Sequence, residues 1–166
     1  SNLDAGAVPT LAELLTDSDS AARYWGALGL LMRGPDAVKQ ETAALERALA
    51  DESSAVRIVA AEALAAHGNP AARGRALDTL AAFAPPEKNG VLVSMSALAA
   101  IEAVGVKAAS LHPAIAAMQP SGPSPDGRYN SYVPRLIANI VPAAKSGGNG
   151  ESKAKAKSPR RTKTRP

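Results

Sequence analysis

The sequence predicts an all-α chain, a right-handed superhelix of stacked antiparallel helix pairs. Three observations lead there. Leu11, Leu15, Asp17, Arg23, Leu30 and Gly34 recur 34 residues later as Leu45, Leu49, Asp51, Arg57, Leu64 and Gly68, and a period of this size belongs to stacked supersecondary units rather than to one closed globule. The apolar content, 46% of the 166 residues, is mostly Ala and Leu with only five aromatic side chains. That composition suits closely packed helices and suits a sheet poorly. Gly34-Pro35 and Gly68-Asn69-Pro70 then stop the pattern at matching places, as helix ends followed by new helix starts would.

The first helix is expected from about Ala7, with Pro9 in its opening turn and Leu11, Leu14 and Leu15 along one side. Asp19 is placed to cap a second helix from about Ser20 to Arg33, since its carboxylate accepts from free amides and favours the helix dipole. The next pair is read as about Asp36 to Ala50 and Ser54 to His67, with Ser53 at the cap position equivalent to Asp19. The third unit drifts, reading as about Ala71 to Phe83 and Lys88 to Val104, with Val91 where the repeated Arg would stand. A fourth opens with Ser110-Leu-His-Pro113 and, after an irregular stretch from Gln119 to Asn130, Ser131-Tyr-Val-Pro134. Each of these offers Ser as N-cap and Pro in the first turn. About eight helices in four hairpins result.

The chain divides into a helical-repeat domain, residues 1–144, and a disordered basic tail, residues 145–166. From Lys145 onward eight Lys or Arg and one Glu give a net of +7, whereas the preceding residues carry −3. The high pI therefore comes from the tail, and a nucleic-acid partner is expected only through it. No apolar run reads as long enough to span a bilayer, so no membrane partner is expected. The opening Ser-Asn in place of Met reads as a cleavage scar, with native polypeptide upstream.

With Asp in the turn, then Ala-Val-Arg57 and Ala-Ala-Glu-Ala-Leu64 ending at Gly68, the repeat resembles the HEAT family. That resemblance implies that Asp17, Arg23, Asp51 and Arg57 form a ladder bridging neighbouring repeats. It is close in the first two units, partial in the third and weak in the fourth. More narrowly, the stretch Asp17 to Leu30, chiefly Arg23-Tyr24-Trp25, is similar to the HEAT segment at the C-terminus of bacterial sulfatases of the heparan N-sulfatase and choline-sulfatase type. This implies a non-catalytic accessory domain of a hydrolase whose catalytic domain lies upstream, in a periplasmic or extracellular setting. The family's Cys/Ser-x-Pro-x-Arg nucleophile motif is missing, its nearest string being Lys157-Ser-Pro-Arg-Arg161.

The residues themselves offer little chemistry, and no cofactor is expected. The absence of Cys excludes disulfides and thiolate sites. Asp17-Ser-Asp19 is at most half a calcium loop, lacking later ligands. His67 and His112 stand alone, and His67 before a stop glycine suits a partly positive imidazole at a helix C-terminus. Gly26 and Gly29, inside a helix, read as close packing rather than a phosphate loop.

Two surfaces stand out. Tyr24, Trp25, Leu28 and Met32 make the second helix apolar where the next unit has Glu62 and a face expected to be wet. The candidate interface is therefore Tyr24, Trp25, Leu28 and Met32, covered by an upstream catalytic domain or another protein partner. Arg128, Tyr129, Tyr132 and Arg135 form a candidate surface patch offering stacking faces and guanidinium forks. The preferred reading is that the tyrosines cap the last hairpin and the arginines solvate its rim. A stand-alone scaffold for protein binding is the alternative function.

Overall fold

The computed structural model describes residues 5–141, and every regular element among them is helical. In chain order these are α1 (Val8–Leu14), α2 (Ser20–Arg33), α3 (Pro35–Gln40), α4 (Thr42–Ala48), α5 (Ser54–His67), α6 (Pro70–Phe83), α7 (Pro86–Asn89), α8 (Val91–Val104), α9 (His112–Ala117) and α10 (Tyr132–Ile140). Short 3-10 turns occupy Ala5–Ala7, Gly105–Leu111 and Gly127–Ser131. The basic segment from Lys145 and its Lys157–Arg161 string lie outside the described residues.

Three 14-residue helices organise the packing: α2 lies against α5, and α5 against α8. Their core faces meet α1, α4 and α6, and α10 closes on α8. Leu30, Leu64 and Leu98, one period apart, are all fully buried along this row. In the middle, α5 is buried nearly all round, through Val56, Ile58, Val59, Ala60, Ala61, Ala63, Leu64 and Ala65. Small side chains permit this, because Ala lets neighbouring helices approach on several sides at once. Gly26 does the same for α1 and α2: a Cβ there would stand 2.7 Å from the Leu11 carbonyl oxygen and 3.0 Å from the Leu14 Cβ.

The helix stops behave unevenly. Gly34 ends α2 at φ 83°, a conformation that favours glycine. Gly68 ends α5 with extended backbone at φ −70°, so its identity is not required by conformation. Asp19 caps α2 by accepting from the Ala21 amide at 2.8 Å.

Several expected boundaries are corrected. The helix foreseen over 36–50 breaks at Glu41 into α3 and α4, where the Thr42 hydroxyl donates to the Val38 and Lys39 carbonyls. The helix foreseen from Lys88 splits at Gly90, whose φ of 77° separates α7 from α8. Ser53 makes no side-chain cap; its amide instead donates to Asp51 Oδ1 at 2.8 Å. Ser110 and Ser131 cap nothing either, because 3-10 turns run directly into α9 and α10 and leave the serine backbone helical or nearly so. The expectation of no bilayer-length run also needs correction. Val91–Ala117 is long and apolar enough by length and composition, with a mean hydropathy of 1.7. Gly105 interrupts that run at φ 64°, and contact of α8 with α5, α6, α7 and α10 accounts for its apolar character.

Candidate functional site

The four ladder residues do not play equivalent parts. The Arg23 guanidinium reaches Asp51 through two bonds, Nε to Oδ2 at 2.7 Å and Nη2 to Oδ1 at 3.0 Å. Its Nη2 also meets Glu52 at 2.9 Å, and Nη1 donates to the carbonyls of Asp17 and Ser18. This fork ties the α1–α2 turn to the turn before α5. The hydrogen bonds hold the Asp51 carboxyl below its ordinary range and raise the Arg23 pKa. Arg57 differs, donating from Nε to the Leu49 carbonyl at 2.8 Å and lying 4.7 Å above the Phe83 ring centre. The reason is in the chain: one period after Asp51 stands Pro85, which has no carboxylate to offer. Asp17 serves its own turn, accepting from the Asp19 amide at 2.8 Å.

On the outer side of α2, Trp25 is 61% exposed and Met32 63% exposed. Tyr24 packs edge-on to Trp25 with ring centres 5.7 Å apart. Tyr24 and Leu28 are half-buried, turned toward α5. The face expected to be wet in the next unit is not: Val59, the register partner of Trp25, is only 4% exposed, and Glu62 is half-buried. In α5 this side is closed by α2 on one flank and α8 on the other, a covering no local pattern announces.

A groove of about 310 Å³ runs across α2, α5 and α8, lined by Tyr24, Leu28, Ile58, Val59, Glu62 and Ser96 among others. Leu28, Glu62 and Ser96 stand one period apart, so the repeat itself aligns them. Burial pushes the Glu62 carboxyl above its ordinary range. Sequence reasoning treated Glu62 as a marker of solvent and missed the groove; its 34-residue spacing from Leu28 and Ser96 was the available signal.

At the far end, Arg128, Tyr129, Tyr132 and Arg135 do come together. Arg128 lies 5.0 Å from the Tyr129 ring centre and donates to its hydroxyl at 3.1 Å. Arg135 lies 5.9 Å from the Tyr132 ring, and the two tyrosine rings are 6.4 Å apart. The Asp126 carboxylate, unforeseen, caps this turn by accepting from the Arg128 amide at 2.9 Å.

The two histidines sit apart. The cationic form suggested for His67 at a helix end is disfavoured: burial lowers its pKa, with Lys107 and Lys39 adding repulsion. Lys107 donates to the Ala66 carbonyl there, supplying the positive partner for the α5 C-terminus. His112 lines a cleft of about 340 Å³ with Glu102 and Asn139, which hydrogen-bond to each other at 3.0 Å. No three His, Asp or Glu side chains among the described residues are grouped to hold a metal. No family model, curated protein or solved structure matches this chain. Its function is therefore argued from these surfaces.

Proposed function

We propose that this chain is a non-catalytic helical-repeat module that docks a protein through α2, its helix pairs stacked as a HEAT-like α-α superhelix. One observation carries the reading. Trp25 is 61% exposed while Val59, the same position one period later, is 4% exposed because a neighbouring helix covers it. The α2 stripe of Trp25, Leu28 and Met32 thus corresponds to a surface that elsewhere in the molecule is an internal interface. Large apolar side chains concentrated on one helix face mark a contact site.

The resemblance of Arg23-Tyr24-Trp25 to sulfatase C-terminal segments supplies the partner: a catalytic domain of the same polypeptide, which would bring the nucleophile this chain lacks. The groove across α2, α5 and α8 supports the alternative, a scaffold that seats a segment of another protein. Trp25→Ala decides between docking and mere exposure. In a polypeptide that includes the upstream domain, it should lower activity and thermal stability, while circular dichroism of residues 1–166 stays unchanged. Full activity and stability of the longer variant would exclude the docking role.

A further inference from the structure

The groove across α2, α5 and α8 holds a carboxylate to which none of the described lining residues provides a counter-charge. Glu62 is half-buried between Tyr24, Leu28, Ile58 and Val59. No Lys or Arg lines the groove. The nearby arginines of its walls are engaged elsewhere: Arg23 on Asp51, Arg33 on the Gly29 carbonyl, and Arg57 on Leu49 and Phe83. α8 contributes no cation at all. A carboxylate drawn partly out of water without a donor is unfavourable, and a cation that enters beside it recovers that cost. Tyr24 adds an aromatic wall, with Trp25 edge-on to it, and an aromatic face beside a carboxylate accepts an ammonium or guanidinium group on two sides.

We propose that this groove is a cation-accepting peptide site, and that its occupant is the chain's own basic segment, Lys145 to Arg165. Charge complementarity points there, because that segment carries +7 against −3 for the residues before it. Position agrees. α10 ends at Ile140 packed against α8, which forms one wall of the groove. The 22 residues from Lys145 to Pro166 can span at most about 75 Å, and a row of three helices is only about 30 Å wide. Tethering raises the local concentration of the segment to the millimolar range, and its eight Lys and Arg side chains compete in turn for the place between Tyr24 and Glu62. The site adjoins the α2 docking stripe and shares Leu28 with it, while Glu62 and Ser96 lie outside the stripe.

The chain contains no Cys, so a single Ser158→Cys substitution takes a nitroxide label cleanly in the full chain. At low salt the label should broaden the amide resonances of α5 and α8 around Glu62 and Ser96. About 0.5 M salt should abolish this, as screening at that strength removes exposed charge attraction. Glu62→Gln should abolish it too, with the fold checked by its melting curve, because Gln keeps the volume and removes only the charge. Absence of broadening at low salt overturns the proposal. So does broadening that survives Glu62→Gln, or that centres on the Asp17 and Asp19 turn instead. Trp25→Ala, which tests the docking stripe, should leave the broadening in place.

Discussion

Arg23 and Asp51, 28 residues apart, are joined by two parallel hydrogen bonds of 2.7 and 3.0 Å. Both side chains are nine-tenths buried, at 9% and 10% exposure. Such a fork fixes orientation as well as distance, which a lysine ammonium cannot reproduce. It ties α2, which carries Tyr24 and Leu28 on the groove wall, to the turn that opens α5.

Asp51→Ala should therefore destabilise the chain by about 2 kcal/mol, the usual scale for a hydrogen bond to a charged group left unmet. The folded carboxyl titrates below its unfolded value. Its contribution is accordingly present above the unfolded pKa and is lost as pH falls through the folded one. Thermal melts of wild type and Asp51→Ala should differ at pH 7 and converge in strong acid. Equal melting at pH 7 would show that the fork adds nothing.

Two glycines should respond to alanine in opposite directions. A Cβ on Gly26 would press on Leu11 and Leu15 backbone atoms at 2.7 and 3.2 Å, and backbone cannot give way cheaply. Gly74 in α6 has nothing within 4 Å of that position and is exposed. Gly74→Ala should stabilise by about 0.5–1 kcal/mol through helix propensity, while Gly26→Ala should lower the melting temperature. Chemical denaturation of the two variants side by side checks the sign of each.

The register twins Trp25 and Val59 should also part company. Val59→Ala should cost about 1–2 kcal/mol, since a buried β-branched side chain is trimmed. Trp25→Ala should change the stability of residues 1–166 by less than about 0.5 kcal/mol, as surface substitutions usually do. Urea midpoints of the two variants measure both. A large loss for Trp25→Ala would mean that its ring against Tyr24 supports the fold itself.

How much of this was legible beforehand follows from where the forces lie. The ends of α2 and α5 were readable because Asp19, Gly34 and the spacing of Leu30 and Leu64 act within one turn of each boundary. The break at Glu41 was not, because Thr42 chooses between carbonyls only after the helix exists. Ser110 and Ser131 looked like caps, yet 3-10 turns enter both helices and leave the serine backbone out of capping geometry. The paired arginines were found from their offset, but Arg57 could be assigned its Phe83 stack only by noting that Pro85 occupies the next Asp position. The groove needed α8 in place. Leu28, Glu62 and Ser96 are unlike as residue types, and only their common face makes them a site.

Glu62 offers the sharpest prediction of sign. Burial raises its folded pKa above the unfolded value, so folding binds a proton more readily than the open chain does. Stability from this group is fully present below the unfolded pKa and is lost as pH rises through the folded pKa. In high salt, where screening releases the basic segment, the ionised carboxylate thus weakens the fold at neutral pH, and Glu62→Gln should raise the melting temperature at pH 7 while giving little change near pH 4. Paired melts across that range test this directly. At low salt the same variant should be less stable than wild type at pH 7, because the occupied groove gives the carboxylate a cationic partner. High salt should then remove that deficit and restore the stabilisation.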